Sequence, residues 1–138
     1  MKNPSADGRD GTPHVMRILV VEDNADCAES MALVLRLAGH QATVAPDGPT
    51  ALQAAEEWQP DVILLDIRMP GMDGWEVARW LKERQGGKPP LIVAVTGFGS
   101  EEDRRRSREA GIDLHLLKPV EPDQLREFLS KFHRIIAW

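Results

Sequence analysis

Apolar residues gather in four runs of strand length, Ile18 to Val21, Val62 to Leu65, Leu91 to Val95 and Leu114 to Leu117, with helix-like segments between them. This alternation predicts repeated βαβ units, and five strands with five helices fit the chain from Arg17 onward. The runs are almost continuous in Val, Ile and Leu, as expected of strands covered by helices on both faces. Helix boundaries are marked in the polar positions. Asn24 is placed to cap a first helix over 25–38, with Gly39 as a left-handed stop and a core face of Cys27 or Ala28, Met31, Val34 or Leu35, and Ala38. Asp47 precedes a second helix over 49–58, and a third spans 75–85 before a Gly-Gly-Lys-Pro-Pro break. Ser100, with Asp103 in a variant of the capping box, opens a fourth that stops at Gly111. Glu121-Pro122 opens the fifth, with proline at a tolerated first-turn position. Residues 1–16 show no apolar period and are rich in Gly, Pro, Asp and Asn, which predicts a disordered tail ahead of a domain over 17–138.

Right-handed crossovers restrict such a pattern to a doubly wound α/β sandwich with a five-stranded parallel sheet. The polar residues at the ends of the runs narrow it further. Ile18–Val21 leads into Glu22 and Asp23, Val62–Leu65 into Asp66, Leu91–Val95 into Thr96, and Leu114–Leu117 into Lys118. In a parallel sheet these strand ends share one edge, and an open α/β sheet binds its ligand there, where the strand order reverses. Acids after the first and third strands put the reversal between those two, which the order 2-1-3-4-5 satisfies.

Composition changes the picture mainly by exclusion. A chain of 138 residues makes one domain, the single Cys27 rules out an internal disulfide, and no apolar stretch approaches the roughly 18 residues of a membrane span. The N-terminus lacks the apolar core of a secretory signal, so a cytoplasmic location is expected. Twenty-two acids against 17 bases give a net charge of -5, which offers nucleic acid no general attraction.

Glu22, Asp23 and Asp66 are three like charges held close in this fold. At ~4 Å and an effective dielectric of ~20 each pair repels by about 4 kcal/mol, so a divalent cation, or a proton, is needed to relieve the site. Oxygen donors without His or Cys suit Mg²⁺. A carboxylate can act as nucleophile toward phosphorus, and Asp66 is the candidate acceptor. Lys118 can pair with Asp66 or with a transferred phosphate, and Thr96 can donate its hydroxyl to a phosphate oxygen. Taken singly, a solvated loop acid, a surface lysine and a strand-end hydroxyl are the commoner roles for such residues; their convergence argues for the site.

Four segments occur in order: Val21-Glu22-Asp23-Asn24, the stretch from Leu65-Asp66 through Arg68-Met69-Pro70-Gly71 to Asp73-Gly74, Thr96-Gly97, and Lys118-Pro119. Together they resemble the receiver domain of two-component response regulators, of the chemotaxis-regulator kind, from Arg17 to about His133. The resemblance implies a flavodoxin-like three-layer sandwich. It also implies phosphoryl transfer from a phosphohistidine on a histidine kinase or histidine phosphotransfer protein to Asp66. Mg²⁺ would be held by Glu22 or Asp23, Asp66 and the backbone carbonyl of Arg68, while Thr96 and Lys118 read the phosphate. Such a domain is a signalling phosphoacceptor that catalyses its own phosphorylation and dephosphorylation, not an enzyme with a separate substrate.

Two positions depart from the family pattern. His115 stands three before Lys118, where the family usually has an aromatic switch residue, and Arg68 stands two after the acceptor, where a long cation can shield the phosphate. A haloacid-dehalogenase-like phosphatase would want an Asp in place of Arg68, and a flavodoxin-like electron carrier would not put Glu22 and Asp23 beside a phosphate. A pseudo-receiver that binds proteins without phosphorylation is the remaining alternative. The Thr96-Gly-Phe-Gly-Ser and His115-Leu-Leu-Lys-Pro segments are similar to receivers of hybrid histidine kinases, which points to a relay role. A single-domain regulator, monomeric or weakly dimeric, is expected, with a downstream protein as target. Its changing surface would include helix four, strand five, helix five and the arginines at 104, 105, 106 and 108. Small residues Ala25, Ala28 and Ala32 are candidates to admit a partner helix, and the apolar end Phe132–Trp138 to extend the last helix against the body or dock a partner.

Overall fold

A computed structural model describes residues 15–84, 89–97 and 99–136, with side chains as far as Lys131. Ten elements alternate along it: β1 (Arg17–Val21), α1 (Ala25–Leu37), β2 (Gln41–Ala45), α2 (Gly48–Trp58), β3 (Val62–Asp66), α3 (Gly74–Glu83), β4 (Leu91–Thr96), α4 (Glu101–Ala110), β5 (Leu114–Leu117) and α5 (Pro122–Ile136). The strands are parallel in the order β2-β1-β3-β4-β5, as the sequence led us to expect.

The apolar runs divide by parity. Leu19, Val21, Ile63 and Leu65 point into one core, shared with Ala51 of α2 and with Trp75, Val77 and Leu81 of α3. Ile18, Val20, Val62 and Leu64 point into the other, shared with Ala28 and Leu35 of α1 and with Leu125 and Leu129 of α5. Both faces of β1 and β3 are therefore dry, which explains why these strands carry no polar alternation. Each fully buried Leu, Ile or Val contributes about 1.5–3 kcal/mol relative to exposure.

Side-chain caps set the helix starts. Asn24 accepts from the N–H of Cys27 at 2.9 Å, Asp47 from Thr50 at 2.8 Å, Asp73 from Glu76 at 3.0 Å and Ser100 from Asp103 at 3.1 Å. Gly39 and Gly111, at φ +96° and +89°, take the left-handed conformation just past α1 and α4. α1 ends one residue earlier than expected, and its buried face is Ala28, Ala32 and Leu35, with Cys27 exposed. α3 begins one residue earlier and ends at Glu83.

The expected boundary at Arg17 is corrected. Met16 is fully buried, donates its N–H to His40 Nδ1 at 3.1 Å and accepts from the N–H of Gln41 at 3.0 Å, so it belongs to the core and not to a tail. The expectation of disorder over residues 1–14, and that of packing by the side chains of Phe132–Trp138, lie outside the described residues.

Candidate functional site

The strand ends carry the chemistry because the sheet ladder runs past its last apolar residues. Glu22 N–H donates to Ala45 O at 3.1 Å and Lys118 N–H to Thr96 O at 2.8 Å, so both residues keep the pleat of their strands. Val21 lies opposite Leu65, which sets Glu22 beside Asp66. Parity then turns Glu22, Asp66 and Lys118 toward the α1/α5 side, the side of Val20, Leu64 and Leu116.

These side chains converge. Lys118 Nζ is 2.8 Å from Glu22 Oε1 and 3.5 Å from Asp66 Oδ1, while carboxylate oxygens of Glu22, Asp23 and Asp66 all lie within 4.8 Å of one another. Glu22 and Asp66 are buried and Asp23 is exposed. Glu22 Oε2 accepts the N–H of Asn24 at 3.1 Å, and Asp66 Oδ1 accepts that of Arg68 at 3.2 Å. Arg68, expected to offer its carbonyl, thus sits in the turn directly over the acceptor.

The two buried acids are driven apart electrostatically. Burial pushes the Asp66 carboxyl up, and the neighbouring Glu22 adds to it, so that it titrates at about 7 despite the opposing pull of Lys118. Burial also acts against ionised Glu22, but the hydrogen bonds from Lys118 and Asn24 outweigh it and hold this carboxyl below the usual range. Lys118 is disfavoured by its own burial, yet its two carboxylate partners raise it above an ordinary lysine. One amine thus serves two acids and favours Glu22. A divalent cation among the three carboxylates would supply the missing positive charge, and the all-oxygen donor set fits Mg²⁺.

Thr96 and His115 face the other way. Thr96 is buried at the end of β4, opposite Leu117, and His115 lies opposite Ala94 on the same sheet face, toward α4. Both ring nitrogens of His115 are buried with no hydrogen-bond partner among the described residues. Burial first, then Arg104 and Arg108, lower its pKa against the opposing Asp103.

The chain matches the family model described as "Response regulator receiver domain" over residues 18–130. It belongs to the receiver-domain family of response regulators. The receiver is 41% identical over 109 residues to the DNA-binding response regulator MtrA of Mycolicibacterium paratuberculosis, covering 79% of this chain and 47% of that protein. It therefore spans about half the length of the curated relatives it matches first. Among solved structures, chemotaxis protein CheY4 of Vibrio cholerae superposes with a TM-score of 0.81 at 28% identity, covering 85% of this chain and 98% of that one. The signal receiver domain of a histidine kinase from Syntrophus aciditrophicus gives 0.79 at 29% identity, covering 88% and 92%. Receiver domains are phosphoacceptors of two-component signalling, and this one carries an acidic group that could hold a divalent cation. No helix among its described residues is long and apolar enough to cross a membrane.

Three features of this receiver were not anticipated from sequence. An open groove of about 560 Å³ runs beside the site between α1 and the β5–α5 loop, lined by Glu22, Asp26, Met31, Val95, Lys118 and Val120. Of the small residues considered for a partner helix, Ala25 is exposed, whereas Ala32 and Ala28, the latter expected also as a core position, are fully buried and cannot offer that surface. Gly74 lets the acceptor loop fold back: a Cβ there would lie 2.7 Å from Asp66 O and 2.7 Å from Ile67 Cα, and its N–H donates to Ile67 O at 3.0 Å. The Asp73-Gly74 pair was the available signal. Finally, the buried indole of Trp75 donates to Ser107 Oγ at 3.0 Å and so ties α3 to α4, which no local pattern announces.

Proposed function

We propose that Asp66 accepts a phosphoryl group from a phosphohistidine on a partner protein and that the domain answers by changing its α4–β5–α5 surface. The observation that carries this reading is the buried Asp66 carboxylate at the β1/β3 reversal, grouped with Glu22 and Asp23 and 3.5 Å from Lys118 Nζ. In the transfer, an Asp66 carboxylate oxygen forms a bond to phosphorus as the phosphorus–nitrogen bond breaks, and the electron pair leaves with the imidazole of the donor. Glu22, Asp23, Asp66 and the Arg68 carbonyl would hold Mg²⁺, whose chemistry is to neutralise the phosphoryl oxygens and the attacking carboxylate.

The chain's own residues do the rest. Lys118, already within reach of Asp66, pairs with the added phosphate, and Thr96, which starts on the α4 face of the sheet, turns its hydroxyl to donate to a phosphate oxygen. His115, one pleat from the Thr96 register and on the same face, follows Thr96 as the switch residue. Asn24 and Arg68 N–H groups fix the two buried carboxylates before the donor arrives. The groove between α1 and the β5–α5 loop is where a donor helix carrying the histidine approaches, and it brings Asp26, Ser30 and Met31 into contact.

A histidine kinase or histidine phosphotransfer protein is thus the upstream partner, in the cytoplasm, with a protein as downstream target. Similarity to a histidine kinase's receiver favours a relay role. Intact mass after incubation with acetyl phosphate, with and without Mg²⁺, tests the reading. The expected result is a Mg²⁺-dependent gain of one phosphoryl group that Asp66→Asn abolishes. A gain that survives in Asp66→Asn, or no gain at all, would instead favour a phosphorylation-independent binding module.

A further inference from the structure

The loop after Asp66 is tied to α4 by a contact that the transfer chemistry does not require. The guanidinium of Arg68 lies 3.5 Å from Asp103 Oδ1 in the first turn of α4 and 5.5 Å from the centre of the Trp75 ring. The Asp103 side chain is 15% exposed and that of Arg68 54%, so the cation is the more solvent-exposed partner of the pair. The second half of α4 is attached differently. Buried Ser107 accepts from the Trp75 indole at 3.0 Å, and Arg106 stacks over the same ring at 3.8 Å. α4 thus has a fixed attachment around Ser107 and an exchangeable one at its first turn.

The exchange has an obvious competitor. A phosphoryl group adds roughly 1.5 to 2 negative charges and three acceptor oxygens, and guanidinium forks bind phosphate at least as well as carboxylate. Arg68 is bonded through its own N–H to Asp66, so its long side chain starts beside the position such a group would occupy.

We propose that Arg68 is a phosphate-sensitive latch: it holds the first turn of α4 through Asp103, and passes to a phosphoryl group on Asp66, releasing that turn while Ser107 stays anchored on Trp75. The latch rests on the reading of Asp66 as phosphoacceptor. Hydrogen–deuterium exchange of the α4 amides in the full chain with Mg²⁺, before and after acetyl phosphate, tests it, with intact mass read on the same samples. In the wild type, phosphorylation speeds exchange of the 101–106 amides several-fold and leaves the 107–110 amides unchanged. Arg68→Ala shows the fast exchange before any phosphorylation, and Arg68→Lys restores the slow one. A mass gain with no change in the first turn sinks the latch alone, as does an Arg68→Ala first turn as slow as the wild type before phosphorylation. No mass gain in the wild type removes Asp66 from its role, and the latch with it.

Discussion

Burial and the neighbouring Glu22 hold the Asp66 carboxyl up at about 7, so a metal-free receiver near neutral pH carries an acid that resists ionisation. The consequence for stability has a definite sign. Between the unfolded value of 3.8 and about 7, the folded chain binds more protons at Asp66 than the unfolded chain, so this residue destabilises the fold increasingly as pH rises through that window. Asp66→Asn, which keeps the shape and drops the charge, should be more stable than wild type in chelator. Its advantage should grow from about pH 4 to about pH 8 by on the order of 3 kcal/mol in urea denaturation. Added Mg²⁺ should then stabilise the wild type and leave the variant nearly unmoved. An advantage that shrinks with rising pH would mean that Lys118, rather than burial, governs the Asp66 carboxyl.

Between elements, two contacts fix the acceptor loop and α4, and each can be broken singly. Gly74→Ala puts a methyl group 2.7 Å from backbone atoms of Asp66 and Ile67, which cannot swing aside as the end of a flexible side chain could. Overpacking of this kind costs about 1–3 kcal/mol, and the loop shift should also slow acetyl phosphate labelling of Asp66, measurable by the time course of intact mass. Ser107→Ala leaves the buried Trp75 indole N–H without its acceptor and should cost about 1–3 kcal/mol, whereas the same change in a Trp75→Phe background should cost much less. Equal costs in both backgrounds would show that Ser107 matters to α4 on its own account. These contacts also mark the limit of what the sequence discloses. Strands, caps and the carboxylate trio are local or follow from parallel topology, so Asn24, Asp66, Thr96 and Lys118 could be placed from run ends alone. Asp66 could be singled out, yet the division of labour between Glu22, buried on Lys118, and Asp23, exposed, depends on which carboxylate the pleat turns inward. Met16 stands outside the continuous apolar run because Arg17 interrupts it, yet it continues the parity of Ile18 and Val20 into the same core, and its backbone is paired with His40 and Gln41. The pairings Trp75–Ser107 and Arg68–Asp103 join positions more than thirty residues apart, beyond any spacing rule.

Across the whole molecule, apolar burial is uneven, and the lightly anchored part is the part proposed to move. β3 is buried at every position and β1 at all but Arg17, and both lie inside the sheet. β5 is an edge strand of four residues with only Leu116 buried, and both Leu114 and Leu117 are exposed. Eight of the ten residues of α4 are charged, and only Ser107 and Ala110 are buried. With so little apolar area holding them, α4 and β5 should open at a fraction of the global unfolding free energy, as mobile elements of a switch must. Native-state hydrogen exchange under increasing denaturant should therefore show amides of β1, β3 and the interior of β4 exchanging only through global unfolding. Those of α4 and β5 should merge with that limit only at higher denaturant, having exchanged earlier through a smaller opening. If β5 amides instead proved as slow as those of β3, the α4–β5 edge would be part of the rigid core. A phosphoryl group would then have to act through the loops after β3 and β4 without any repositioning of that edge.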